Sequence, residues 1–494
     1  MQRLTKVMGL TFALIFSITA AAGIAGAFAG QTTRVSLNTA GDPMTGNGLR
    51  GQGLSADGHF VVFSALATNL GASGQQVYRR ACATLDCTVG TTDVVSVRPD
   101  GAASSGFAPS VSANGRYVAF VSLSTDLIAD KTDMNNSADV FLRDMQAPGS
   151  TRLVSANANG DFVTAGGMLF NASDAHVVSD DGNFVAFASS SSDLVSTSNN
   201  ATMQIYVKNM TTGEVVLAST HEGAAGNGPS SLPALSGDGR FVAFGSLSTN
   251  LTTPALVTAS SQIYVRDLSA HTTSLESVTW DGAVLLGGQN STPTLSRNGR
   301  YLAFESTLQL DNRSDHDVNT WDVYLRDRGD GTTAATTAHV SHSDTPTFFP
   351  TLDSRSPSIA ADGNFLAFQS NDFGLVPGDG NGTVDVFLYD RASTALTIVS
   401  RNDDNVQANS PSTGPSLSEH GGLVLFASAA TNLVPVPFTD TSQLYLRNLR
   451  PNQAPVLQPV GPVDLVEAQP LHLNGQFSDD DSSTSWNATV DYGD

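Results

Sequence analysis

One phrase recurs seven times along this chain, and that recurrence constrains the fold more than any other feature. It reads Ser-Ala-Asp-Gly-His-Phe-Val-Val-Phe from Ser55 and Ser-Ala-Asn-Gly-Arg-Tyr-Val-Ala-Phe from Ser112. It returns as Ser-Asp-Asp-Gly-Asn-Phe-Val-Ala-Phe from Ser179 and Ser-Gly-Asp-Gly-Arg-Phe-Val-Ala-Phe from Ser236, with further copies from Ser296, Ala360 and Ser418. The glycines of the seven copies lie 57 to 67 residues apart. Asp-Gly or Asn-Gly followed by an aromatic, β-branched run is a tight hairpin entering a strand, because glycine accepts a positive φ and the Asx side chain bonds back to its own turn. The run before the turn often carries a proline, as at Pro109, Pro293 and Pro357. Proline is expected there as the first residue of a strand, where no ladder bond is lost.

A second phrase follows each copy, such as Asp139-Val-Phe-Leu-Arg-Asp144, Gln262-Ile-Tyr-Val-Arg-Asp267 and Asp385-Val-Phe-Leu. An outer strand comes next, as in Thr151-Arg-Leu-Val-Ser155 and Leu396-Thr-Ile-Val-Ser400. Each unit therefore holds four short strands, the make-up of one propeller blade. The seventh unit ends near Leu446 without an outer strand, whereas Thr32-Thr-Arg-Val-Ser36 precedes the first unit with nothing to pair with. The N-terminal strand is expected to complete the last blade and close the ring, leaving no open sheet edge. The fold class expected is all-β: a seven-bladed β-propeller of four-stranded blades closed by the N-terminal strand.

These phrases resemble the TolB-like family of WD-type β-propeller repeats over roughly residues 31 to 450, in all seven units. His420 in the last turn and Arg80-Ala81 in the first unit depart from the pattern. Propellers of this kind occur in periplasmic binding proteins, in peptidases as gating domains and in bacterial surface proteins, so the resemblance speaks to fold and not to one function. From Arg450 the texture changes. Pro451-Asn-Gln-Ala-Pro455 reads as a linker, and the stretch to Trp486-Asn-Ala-Thr-Val-Asp-Tyr-Gly-Asp494 resembles the first half of a PKD-type immunoglobulin-like domain. About 44 residues are too few for an independent core. Three segments are thus expected: 1–29, 30–450 and 451–494.

Residues 1–29 read as a signal peptide. Arg3 and Lys6 precede an apolar stretch from Val7 to about Ile24, and Ala27-Phe28-Ala29 supplies a small-x-small cleavage pattern. No later stretch approaches the ~20 apolar residues that span a bilayer. The expectation is a secreted, periplasmic or cell-surface protein, monomeric and without stable membrane insertion. Cys82 and Cys87, the two cysteines of the chain, are expected to form a disulfide. The formal net charge of -22 repels phosphate backbones, which excludes nucleic acid as a partner.

No Gly-x-Ser-x-Gly, His-Glu-x-x-His or phosphate loop is present. The histidine pair His339 and His342 reads as part of a polar strand or loop, and the Arg-Asp pairs at 143–144, 266–267 and 326–327 read as ion pairs in turns of the repeat. Acidic loops precede the third strand in three units: Asp133, Asn135 and Asp139; Asp315, Asp317, Asn319 and Asp322; Asp379, Asn381 and Asp385. Alternating oxygen side chains suit Ca2+, while the plainer reading is an Asx-rich turn whose final Asp caps the strand. The function expected is an exported, non-catalytic binding or scaffold module with a protein or glycan ligand on a propeller face. The alternative is a carbohydrate-active enzyme, a lyase or hydrolase, with its site at the mouth of the channel. A unit-specific cluster of carboxylate, His or Tyr breaking the repeat would favour the alternative.

Overall fold

The computed structural model describes residues 30–129, 131, 133–135, 137–147, 150–163, 176–197, 199, 202–312, 320–342, 352–435, 441–449, 456–457 and 477–478. Residues 1–29, expected to be a signal peptide, and most of 451–494 lie outside these residues. Of the C-terminal segment, Val456–Leu457 pairs antiparallel with Phe477–Ser478. Among the described residues no helix is long and apolar enough to cross a membrane.

The fold is a seven-bladed β-propeller of four-stranded antiparallel blades. Blade 4 shows the pattern: Ser230–Leu235 innermost, then Phe241–Ser246, Gln262–Asp267 and the outer Thr272–Leu275. Blades 1, 2, 3, 5 and 6 occupy 46–94, 107–153, 176–217, 290–339 and 354–398. Blade 7 takes three strands from 412–448, and its outer strand is Gln31–Arg34, paired with Gln443–Asn448 in the register Gln31 to Asn448 through Arg34 to Tyr445. The ring is thus closed by the chain's own N-terminal strand.

Each repeated turn glycine is a key between blades. Gly239 has a φ of +75, and a Cβ there would lie 2.4 Å from the Phe184 ring of the preceding blade; Gly182 meets Tyr117 and Gly299 meets Phe241 in the same way. Within every blade the second and third strands stack two aromatic rings, from Phe63 on Tyr78 to Phe426 on Tyr445. These rings are buried against the neighbouring blade, as Phe120 and Phe141 are against Val62 and Val77.

The prolines do not begin strands. Pro233, Pro293, Pro357 and Pro415 fall inside the inner strands, next to register shifts. The residues before the first three, Leu232, Thr292 and Ser356, have φ of 49 to 55. A bulge frees proline from the ladder just as a strand start would.

Every strand connection leaves from one of two sides. The Asx-Gly turns and the third-to-outer turns lie on one, here called lower. The second-to-third loops and the blade-to-blade connections lie on the other, called upper. On the lower side the residue after the turn serine forms a ring of backbone hydrogen bonds: Ala113 N–H to Asp180 O, Asp180 to Gly237, Gly237 to Arg297, Arg297 to Ala361, Asp362 to Glu419, Glu419 to Ala56 and Asp57 to Ala113, at 2.8 to 3.4 Å. Arg297 spans this ring between the carboxylates of Asp180 and Glu419. Arg297 thus bridges the lower mouth of the channel.

Candidate binding side and a cavity in the rim

The two sides differ in charge. The described residues of the upper connections carry fifteen Asp or Glu against three Lys or Arg, and those of the lower connections nine against six. Three lower-side arginines are paired within the repeat. Arg116, Arg240 and Arg300, each following a turn glycine, grip Asp144, Asp267 and Asp327 at 2.7, 2.6 and 2.8 Å. Those arginines hold the Asp267 carboxyl down to about 2 and lower that of Asp144. The Arg-Asp dipeptides are therefore not pairs with themselves. Side chains of successive strand residues point to opposite faces, and Arg143, Arg266 and Arg326 instead donate to outer-strand Thr151, Thr273 and Thr337.

The sides also differ in exposed apolar surface. Leu66 is exposed near the upper end of the second strand of blade 1, Leu123, Met134, Leu247, Val257 and Phe373 at second-to-third loops, and Trp280, Val284, Leu352 and Val406 at blade-to-blade connections. Val89 is the one large exposed apolar side chain among the described residues of the lower connections. Large exposed apolar side chains confined almost wholly to one side suit an interaction surface there.

The acidic loops lie on the upper side. Asp315, Asp317 and Asn319 are outside the described residues. In blades 2 and 6 the loops form a latch that blades 3, 4 and 7 build from a single residue. Where the third strand begins with glutamine, its Oε1 accepts from a serine hydroxyl and its Nε2 donates to a carbonyl just past the rim hairpin: Gln204 to Gly226 O, Gln262 to Leu285 O, Gln443 to Met44 O. Asp139 and Asp385 still accept from Ser155 and Ser400, but a carboxylate cannot donate. Asn135 and Asn381, four residues earlier, supply the amide. Each donates to the Asp and to the equivalent carbonyl, Val163 O or Ala408 O, at 3.1 and 3.0 Å. Their side-chain oxygens accept from the N–H groups of Ser137 and Thr383, which fixes the amide orientation. Asp133 and Asp379 accept from Asn135 N–H and Gln407. Asp322 accepts from Ser341 and faces His339. Among the described residues no three His, Cys, Asp or Glu side chains gather in a metal-ligand arrangement. A calcium ion would have to displace both asparagines from the latch. A melting temperature higher in millimolar calcium than in chelator would show that it does.

Burial pushes the Asp139 and Asp385 carboxyls up, to about 6. A carboxyl raised in the folded state gives stability that is full below its unfolded value near 3.8 and lost as pH rises through 6. His176, lowered to about 4 by burial, acts in the opposite sense, so the comparison must be variant against parent. The double substitution Asn381→Thr with Asp385→Gln installs the residues of blade 4, Thr258 and Gln262. It should raise stability at pH 7.5 by about 1–2 kcal/mol and shrink the gain on acidification to pH 5. Denaturant melts at the two pH values read this directly, and an unchanged pH profile would contradict the latch.

The structure joins Cys82 to Cys87 in a disulfide, at the lower turn between the third and outer strands of blade 1. At the upper mouth, Arg355 packs 4.4 Å over the Trp321 ring, 3.0 Å from Asp353 and 3.7 Å from Glu305, whose Oε1 accepts from Ser356 N–H at 2.6 Å. These unit-specific groups engage one another. A second unit-specific group lies in the outer rim between blades 5 and 6. There His339, in the outer strand Thr336–His339, is buried. Its ring stacks 4.9 Å from Tyr324, with Nε2 3.2 Å from Asp322 and Nδ1 3.8 Å from Asp311. With Trp280, Asp311, His342 and Tyr389 it lines a cavity of about 300 Å3.

No family model matches the sequence, and no curated protein matches it. Solved structures are similar in fold. A putative TolB from Agrobacterium tumefaciens shares 15% identity over 72% of this chain and 94% of its own, with a TM-score of 0.37. TolB from Acinetobacter baumannii shares 15% over 76% and 65%, with a TM-score of 0.35. An oligogalacturonate lyase in complex with manganese shares 12% over 86% and 94%, with a TM-score of 0.48. Likeness at this level concerns the propeller fold and carries nothing about activity.

Proposed function

We propose that this chain is an exported, non-catalytic binding module that docks a protein partner on the upper side of its ring. The observation that carries the reading is the sidedness: exposed large apolar side chains and excess carboxylates lie on the upper connections, while the lower connections are nearer charge balance and expose only Val89 of this kind among their described residues. Apolar groups set in an acidic field fit a partner with a basic, partly apolar surface, attracted over distance by charge and held by apolar contact. The Cys82–Cys87 bond and the signal-like N-terminus support export. No nucleic-acid role fits a net charge of -22.

A photoreactive residue placed at Leu247 or Phe373, with Val89 as the lower-side control, tests this in the exporting cell. Cross-links to one partner are expected from the two upper positions and not from Val89, and they should weaken as salt rises. Equal cross-linking from Val89, or cross-links from Val89 alone, would overturn the reading.

A further inference from the structure

The rim cavity is surrounded by departures from the repeat, and sister blades show what is ordinary at each position. The outer-strand residue that pairs with the third-strand aromatic is Val94, Leu153, Leu217, Leu275 or Ile398 in five blades and Arg34 in blade 7; blade 5 has His339. After the buried leucine of the second-to-third loop come Gly71, Ile128, Val195, Thr252, Val376 and Val434; blade 5 has Asp311. The third residue of the rim hairpin is Thr39, Pro99, Ala158 or Asp403 elsewhere; the hairpin leading into blade 5 has Trp280. The fifth residue of the third-strand phrase is Arg or Lys in six blades, and in four of them it reaches back toward the preceding blade, as Lys208 does to Leu153 O and Arg266 to Thr220 O. In blade 6 it is Tyr389, which gives up that reach and leaves its ring on the cavity wall.

Drift among repeats scatters over the ring. Four departures around one cavity of about 300 Å3 mark a site. We propose that this cavity binds a neutral pyranose ring, one unit of a glycan. Its volume is at the small end of ligand pockets and suits a single ring. The half-exposed Trp280 indole and the Tyr389 ring offer flat apolar faces for the C–H face of a sugar. Asp311, Asn312 and His342 ring them with hydrogen-bonding groups for hydroxyls. His339, set between Asp311 and Asp322, already faces both carboxylates, so a ligand need bring no positive charge. The same carboxylates and the net charge of -22 repel a uronate. This site lies in the rim and stands or falls apart from docking on the upper side.

Saturation-transfer NMR on the exported chain tests it, with methyl glucoside, methyl galactoside, methyl mannoside and N-acetylglucosamine as probes. At least one should bind saturably at millimolar concentration, and galacturonate more weakly. Trp280→Ala should abolish the signal. His339→Leu and Asp311→Val, which install sister-blade residues, should each weaken binding about tenfold while melting no lower than the parent. Saturable binding by none of the four sugars, binding that survives Trp280→Ala, or galacturonate bound as well as the neutral sugars would overturn the proposal.

Discussion

Removing residues 31–38 from the mature chain is expected to abolish cooperative melting of the ring. The segment is eight residues long, yet Val35 and Ser36 are fully buried and Thr32 and Arg34 nearly so. Its loss takes away the ladder to Gln443–Asn448, the Val35 N–H bond to Leu444 O at 2.8 Å, and the Ser36 hydroxyl that bonds Gln443 at 2.6 Å and receives Leu444 N–H at 3.0 Å. Arg447, a buried guanidinium, loses Thr32 Oγ1 at 2.8 Å. Backbone bonds at about 1 kcal/mol each, with buried groups left unpaired, bring the cost to about 5 kcal/mol or more, comparable with a domain's whole stability. The exposed edge of blade 7 adds a route to aggregation. Circular dichroism melts of the two chains measure the effect. A truncated chain that melts like its parent would show that the outer strand of blade 7 comes from elsewhere.

The second large effect is Gly239→Ala, set against Gly282→Ala. Both glycines follow aspartate in a tight turn, with φ of +75 and +87. A Cβ at Gly282 meets nothing within 4 Å, so alanine there costs only the left-handed backbone, about 1–2 kcal/mol. At Gly239 it would lie 2.4 Å and 2.6 Å from Phe184 ring atoms, and that ring, packed in the core, has little room to retreat. Overpacking adds about 1–3 kcal/mol, for a total near 4. Urea melts separate the two variants. Equal costs would mean that the aromatic-on-glycine contact does not hold neighbouring blades together.

The blades were legible because the repeat shows both of their signals at once, a glycine that must take positive φ and an alternating apolar strand after it. Closure was legible from a missing strand at one end and a spare one at the other. The ion pairs could have been read as well. Units 2, 4 and 5 have arginine after the turn glycine, at 116, 240 and 300, and the same three end their third strand in Arg-Asp. Other features leave no local trace. The bulges at Leu232, Thr292 and Ser356 precede prolines that a strand start would explain equally well. The ring of lower-side hydrogen bonds joins backbone groups, which any residue supplies. The latch of Asn135 and Asp139 looks like a cation loop in sequence, because the same oxygens serve either purpose until their partners are known. His339 looked like part of a polar strand or loop because its neighbours in the cavity come from three segments far apart in the chain.

The closed ring depends on the first and last strands of the propeller meeting in one sheet. Gln31 and Asn448 are directly opposed in register, 417 positions apart in sequence. With both replaced by cysteine, the folded protein should form this cross-link under mild oxidation, and its melting temperature should rise because the bond closes a loop of some four hundred residues. Mass spectrometry of the peptide pair identifies the bond. Its formation in the native state, alongside an intact Cys82–Cys87 bridge, is the result predicted. Two free thiols at 31 and 448 in oxidised, folded protein would contradict the closed ring.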